Sequence, residues 1–414
     1  MNHKIEKKFL FIIPLLTSFI TFSVVELLSF SLLKVSNKGL KSLPQKSIDP
    51  NESIIHRTHK YFRLSRPDPY KDSNYFDWFI KQTWSNDNPE CETKQFHDGK
   101  GYNLRQQNTP FCQGFTIQDG WRITAYKNKE YSRNIYIYGG STIESSEVIN
   151  KYTIPSYLQR FLTLNDYLDY GVHNRGFTSV VTSQQNDFLL RTPLKSGDIV
   201  IYYDGGNNIW NGVANADPKG TIIGSNKKNY WINSIKLLVV NLQTYKLFSQ
   251  LKNQNNESII CDGSQIPNLA SLLNRSNQSF DVYKNDLINA RKISLDRGAS
   301  FIHFFQPNLF SVHESKHTPY EVKLIESSPS EMIPCGAKEY LTTGTKVFQN
   351  RHKELTESGI ISIDLSKLFR GDNNKIFPHE IFLDFIHVTE KGNQKVAEAI
   401  FNYLSINGLL TKNE

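Results

Sequence analysis

The sequence predicts an α/β protein built on a parallel sheet of about five strands with helices on both faces. Three observations point there. From Asn134 onward, five short apolar runs recur, bounded by glycine or polar turn residues. Stretches with helical spacing lie between them, and the chain closes on an amphipathic helix. Strands alternating with helices signal a parallel sheet, because parallel neighbours need a crossover connection.

The elements follow in order. The first run, "NIYIYGG", stops at two glycines and then presents Ser141. In "TIPSYLQRFLTL", Pro155 suits a first helical turn, and Tyr157, Leu158, Phe161 and Leu162 share one face. "YGVHNRG" is the second run, and a helical stretch to about Arg191 follows it. "GDIVIYYDGGNN", from Gly197, is the third. A helix from about Asp281 precedes the fourth, "SFIHFFQP", and "GIISIDLS" is the fifth. The closing helix carries Val396, Ala397, Ile400, Phe401 and Leu404 in one stripe, with Gly408 beyond its end. The polar stretches 208–230, 252–280 and 311–345 are expected to be loops or insertions.

Upstream the chain reads differently. Lys4, Lys7 and Lys8 lie in residues 1–8, and the apolar residues 9–33 are long enough to span a hydrocarbon core. No small-x-small cleavage pattern follows, so the expectation is an uncleaved transmembrane signal anchor with its N-terminus in the cytoplasm. A cleaved signal peptide is the alternative. Either places the folded part outside the cytoplasm, periplasmic or at the cell surface. Glu26 then fits a shallow, interfacial position. Residues 34–60 read as a linker. Residues 61–130 read as an irregular, partly β extension packing on the sheet domain, which is expected over 131–410. The four cysteines, Cys91, Cys112, Cys261 and Cys335, allow three pairings. Proximity favours Cys91–Cys112 and Cys261–Cys335, with free thiols as the alternative.

Composition excludes some classes. Of 414 residues, 12% are aromatic, which argues against disorder. The net charge of +8 is spread out, with no basic block interleaved with aromatics, so nucleic acid is not an expected partner. Mild basicity suits anionic lipid or acidic polysaccharide. No metal-ligand spacing and no cofactor motif is present.

In open parallel sheets, sites gather at the carboxyl ends of the strands. The first run ends in Gly139-Gly140-Ser141, the second in Asn174-Arg175-Gly176, the third in Asp204-Gly205-Gly206-Asn207-Asn208. After the fifth comes "LDFIHVTEKG", with Asp384 three residues before His387. Ester hydrolysis needs a serine with a base in reach, a carboxylate to orient that base, and N–H donors for the developing oxyanion. Ser141, His387 and Asp384 fit the first three roles. The backbone N–H groups of Ser141 and Gly176 and the side-chain amide of Asn207 fit the last. Each block alone reads equally well as a turn or loop. Four in order, with consistent roles, read as a site.

These blocks, "YGGST", "NRG", "DGGNN" and "DFIH", resemble the SGNH (GDSL-type) hydrolase superfamily over roughly residues 133–405. The resemblance implies a flavodoxin-like three-layer α/β/α sandwich with Ser141, Gly176, Asn207, Asp384 and His387 in the site. The wording around the blocks resembles membrane-anchored members found with bacterial surface polysaccharide assembly, which implies polysaccharide assembly proteins as partners. Asn208 stands where the superfamily usually has Asp, and Gly140 where many members have Asp. The expected function is a serine esterase removing O-acetyl groups from a carbohydrate. The alternatives are an O-acetyltransferase on the same triad and an inactive glycan-binding scaffold, which intact site residues argue against. Tyr202, Tyr203 and Trp210 would either stack on sugar rings or, as is more usual for strand tyrosines, pack. His173 and His303 read as packing or supporting groups, and His379 as a loop residue.

Overall fold

The strand that leads to Ser141, β5 (Arg133–Gly139), is flanked on both sides, and this explains its composition. It pairs in parallel with β6 (Tyr170–Gly176) and with β7 (Ile199–Asp204). Ile135, Ile137 and Tyr138 are fully buried, and Tyr136 is nearly so. A run apolar at every position is what a strand covered on both faces requires. β8 (Ser300–Phe305) and β9 (Ile361–Asp364) extend the sheet beyond β7, giving the order β6-β5-β7-β8-β9. This is the doubly wound order with its topological switch between β5 and β7.

The structure is a computed structural model describing residues 93–97, 103–107, 116–127, 131–145, 147–219, 266–311, 317–327, 336–370 and 381–412. The expected anchor at 9–33, the linker at 34–60, all four cysteines and His379 lie outside the described residues. Among the described residues no helix is long and apolar enough to cross a membrane. Ahead of the sheet lie two small antiparallel pairs. One joins β1 (Thr93–His97) to β2 (Asn103–Gln107), the other β3 (Ile117–Gln118) to β4 (Trp121–Arg122).

The helices form two layers. α1 (Ser141–Glu144) is a single turn after β5. α2 (Ile154–Leu164) packs against the last helix, α9 (Glu390–Ile406). α3 (Thr182–Arg191) packs against α5 (Leu269–Leu295), with the short α4 (Gly206–Ile209) between them in sequence. α5 also meets α7 (Ala337–Arg351), which follows α6 (Pro319–Ser327) and precedes α8 (Lys353–Glu357). The caps match the local sequence. Thr153, Asn268 and Thr389 each accept from the backbone N–H three residues on, opening α2, α5 and α9.

Two stretches expected as loops are helical. α5 begins at Leu269, well before Asp281, and α6 and α7 occupy much of 311–345. The reason is that the buried faces are built from small polar residues. Ser276 and Ser279 are fully buried: the first donates to Leu272 O at 2.7 Å, the second to Asn208 O at 2.8 Å. On α7, buried Gly344 and Thr345 take the same part. A Cβ at Gly344 would fall 2.3 Å from Ile209 Cγ2, so the helix approaches α4 more closely than any side chain allows.

Arg122 joins the β3–β4 pair to the sheet domain. It is 2% exposed. Its guanidinium donates to the carbonyls of Glu144 (2.8 Å), Ser145 and Val148, and to Asn150 Oδ1 (3.1 Å). Those acceptors form the loop that leaves α1, where Ser145 sits in the left-handed region at φ 55°. The expected outcome of Arg122→Met is a loss of about 3 kcal/mol in denaturant unfolding, because several buried carbonyls lose their donor. A loss under about 1 kcal/mol would show that the loop holds without the guanidinium.

Candidate active site

The two glycines before Ser141 are required by crowding. A Cβ at Gly139 would fall 2.5 Å from both Ile143 Cγ1 and Tyr203 O. A Cβ at Gly140 would fall 2.3 Å from Asn207 Nδ2. Only glycine lets the end of β5 turn into α1 while the Asn207 amide lies beside it. β5 and β7 are neighbours at the switch point, so their following residues, Ser141 and Asn207, share the same crevice.

His387 comes from a tight loop before α9. Leu383 N donates to His387 O at 2.8 Å, Thr389 N to Ile381 O at 2.7 Å, and Phe382 bridges to Val388. Leu309 N donates to Phe385 O at 2.9 Å, tying the loop to the chain after β8. Inside the loop, Asp384 Oδ1 accepts from the backbone N–H of Ile386 and of His387, both at 2.7 Å. This turn leaves Oδ2 free to accept from His387 Nδ1 at 2.6 Å. The other ring nitrogen, Nε2, lies 2.8 Å from Ser141 Oγ. Residues 246 positions apart in sequence thus form a hydrogen-bonded series Ser141–His387–Asp384. With Nδ1–H donated to Asp384, Nε2 carries the lone pair that accepts the serine proton.

Further groups fasten the crevice. Thr142 Oγ1 donates to Gln306 Oε1 at 3.2 Å, joining the ends of β5 and β8. At the end of β7, Asp204 Oδ1 accepts from Tyr283 OH at 2.8 Å and lies 3.2 Å from His303 Nε2, while Oδ2 accepts from Thr182 Oγ1 at 3.0 Å. Asn208 Oδ1 also accepts from Thr182 Oγ1, at 3.0 Å. His303 is therefore a buried support, and Tyr202 and Tyr203 are core residues. Trp210 is only half-buried and packs 5.5 Å from the ring of Phe385, on the His387 loop.

The structure places Gly176 differently from the expectation. Its N–H donates to Asn174 Oδ1 at 2.8 Å, and it ends β6 opposite Gly139. A Cβ there would fall 2.2 Å from Glu144 N, so the glycine lets α1 lie against the edge strand. Its N–H is thus already given to a side chain of its own strand. The following turn reaches the site instead. Asn207 Nδ2 donates to Val180 O at 2.9 Å, and Ser179 before it holds a left-handed φ of 62°. An amide nitrogen has two protons, so Asn207 keeps one donor beyond that bond.

Glu147 has no counterpart among the sequence-level candidates. Its Oε1 lies 3.5 Å from His387 Nε2, the nitrogen that faces the serine. Burial raises the Glu147 carboxyl above the usual range, against the pull of His387. At His387 burial disfavours the imidazolium, but Asp384 and then Glu147 outweigh it and hold the ring well above its ordinary value. At Asp384 burial likewise opposes the charge, and His387 with the surrounding N–H donors overcomes it, leaving the carboxyl below the usual range. Nothing in sequence spacing singles out Glu147; it reaches the ring because Arg122 holds the loop that carries it.

No family model matches the chain, and no curated protein matches it. Among solved structures, a member of the lipolytic protein G-D-S-L family from Veillonella parvula DSM 2008 aligns at 11% identity, covering 66% of this chain and 99% of its own, with a TM-score of 0.37. The acetyl xylan esterase AlAXEase aligns at 11% identity over 66% of this chain and 99% of its own, with a TM-score of 0.37. A mutant of Axe2, an acetyl-xylooligosaccharide esterase from Geobacillus Stearmophilus, aligns at 11% over 67% and 95%, with a TM-score of 0.34. At such TM-scores these likenesses carry no weight for the activity of this chain.

A base must be neutral to accept a proton. With His387 held above the ordinary imidazole value of about 6.5, turnover that uses it as base rises with pH through a midpoint displaced to the alkaline side. Glu147→Gln removes a charge that favours the imidazolium, so this limb moves to lower pH. A pH profile of kcat/KM on any turned-over ester checks it, and an unmoved limb would remove Glu147 from the electrostatics of the base.

Proposed function

We propose that this protein is a serine esterase with Ser141 as nucleophile, His387 as general base and Asp384 as its orienting carboxylate. The observation that carries the reading is the hydrogen-bonded series from Ser141 Oγ through both nitrogens of His387 to Asp384. In it, Ser141 Oγ attacks the ester carbonyl carbon as its proton passes to His387 Nε2. The charge on the carbonyl oxygen is met by the Ser141 backbone N–H and the second proton of Asn207 Nδ2. The protonated His387 then gives its proton to the departing alkoxide, leaving an acyl-serine. Water, deprotonated by the same nitrogen, releases the acid and restores the serine. Asp384 stays ionised throughout, fixing the ring and stabilising its charged form.

The substrate class is proposed as acyl esters, O-acetyl esters foremost, of a carbohydrate outside the cytoplasm. Support comes from the resemblance of the sequence blocks and from the apolar run at 9–33, which would anchor the chain in a membrane.

The deciding experiment follows acetate release by the full-length chain from a small activated acetyl ester and from acetylated oligosaccharides. Ser141→Ala is expected to lower kcat by about 10⁴-fold or more. Asn207→Ala is expected to lower it by about 10²- to 10³-fold, with a smaller change in KM. Activity that survives Ser141→Ala sinks the assignment of the nucleophile. Acetyl appearing on an added glycan, with no free acetate, would make the protein a transferase on the same triad.

A further inference from the structure

A second concave site lies against the edge strand, outside the catalytic crevice. It has a volume of about 440 Å³. The β3–β4 turn and the segment after it form one wall, and the outer residues of β6 form the other. Three cations line it, Arg122, Lys127 and Arg175, together with His173 and one carboxylate, Asp119, on the exposed turn. Arg122 gives its donors to the α1 loop, as described above. The other two have nothing comparable.

Arg175 is the unusual member. Its guanidinium stacks 4.9 Å from the Trp121 ring and 5.6 Å from that of Tyr136. These contacts hold the plane but supply no acceptors. Among the described residues it makes no hydrogen bond or ion pair, and its Nε is buried without a partner. A guanidinium has five N–H donors in a fixed fork, and leaving one buried and unmet costs free energy. Lys127 points to the same place. Among the described residues its Nζ meets only the ring nitrogens of His173, at 3.3 and 3.4 Å, and the face of Tyr131. His173 lies 4.7 Å from Tyr136 in a stack and donates Nε2–H to Asn134 Oδ1 at 2.9 Å. That tautomer leaves Nδ1 to accept from Lys127. Burial, then Lys127 and Arg175, push His173 down to about 3, so it is a neutral acceptor here. Burial also lowers both Lys127 and Arg175. Two half-buried cations, fixed by aromatic rings and answered by a single exposed carboxylate, Asp119, leave the lining of the cavity net positive.

We propose that the cavity between the β3–β4 turn and β6 binds an oxyanion, a carboxylate or a phosphate, held by the fork of Arg175 and the ammonium of Lys127 against Trp121. Planar, bidentate recognition suits Arg175, and Lys127 adds a point charge. The site stands independently of the esterase reading, since it shares no residue with the catalytic series.

The test is thermal unfolding of the full-length chain in inorganic phosphate, in sodium glucuronate, and in sodium chloride at matched ionic strength. A ligand that binds only the folded state raises the midpoint with the logarithm of its concentration. The wild type is expected to rise further in phosphate or glucuronate than in chloride. Phosphate alone acting would name a phosphoryl ligand, glucuronate alone a carboxylate. Arg175→Met and Lys127→Met are expected to fold, because among the described residues Arg175 makes no hydrogen bond and Lys127 meets the ring of His173 alone, and to lose the extra rise. A wild-type midpoint that moves no more than in chloride, or variants that respond as the wild type does, would overturn the proposal and leave the cluster a structural stack.

Discussion

β5 has partners on both sides, and the geometry of the site depends on that pairing. Because β6 and β7 both run parallel to β5, the chain must leave β5 over the same end of the sheet at which β7 also ends. The turn there has room for no side chain at Gly139 or Gly140, so the path of the backbone is fixed to within the reach of a hydrogen bond. Asn207 and the loop of His387 then need only to be anchored to the same edge. The bonds from Asn207 to Val180 and from Leu309 to Phe385 do this. A hydrogen-bonded series whose members are 246 residues apart is held by sheet pairing rather than by any local feature of its residues.

The electrostatics of the crevice pull in two directions. Against its burial, Asp384 is kept charged by His387 first and then by two backbone N–H donors of its own loop. The same charge, with Glu147 on the far side of the ring, stabilises the imidazolium. That favours the state after proton transfer over the state before it. The arrangement lowers the cost of forming the charged intermediate while making the resting base scarcer at neutral pH, and Glu147 is the smaller of the two contributions.

Much of this was legible in the sequence, for physical reasons. Strands buried on both faces are written as unbroken β-branched and aromatic runs, so "IYIY" and "IVIYY" stand out, and their ends are marked by glycine. Ser141, Asp384 and His387 were legible because strand ends and short carboxylate–histidine spacing are local features. Helix α5 was legible only from Asp281 onward because its first turns bury serine, which carries no hydrophobic period. The bond from Gly176 N–H to Asn174 was hidden for a similar reason: the sequence shows a glycine at a strand end but not whether it makes room for a ligand or for a helix. Glu147 and Arg122 act through contacts that no spacing encodes.

The buried guanidinium of Arg122 also bears on where the folding unit begins. Its donors reach the carbonyls that shape the loop after Ser141, yet Arg122 precedes the first strand of the sheet. A boundary drawn at the start of β5 would cut through the wiring of the crevice. The short β3–β4 pair is thus an inseparable part of the body that holds the Ser141–His387–Asp384 series, and an insertion or deletion between residues 122 and 133 would be felt at the serine although the sheet itself stayed intact.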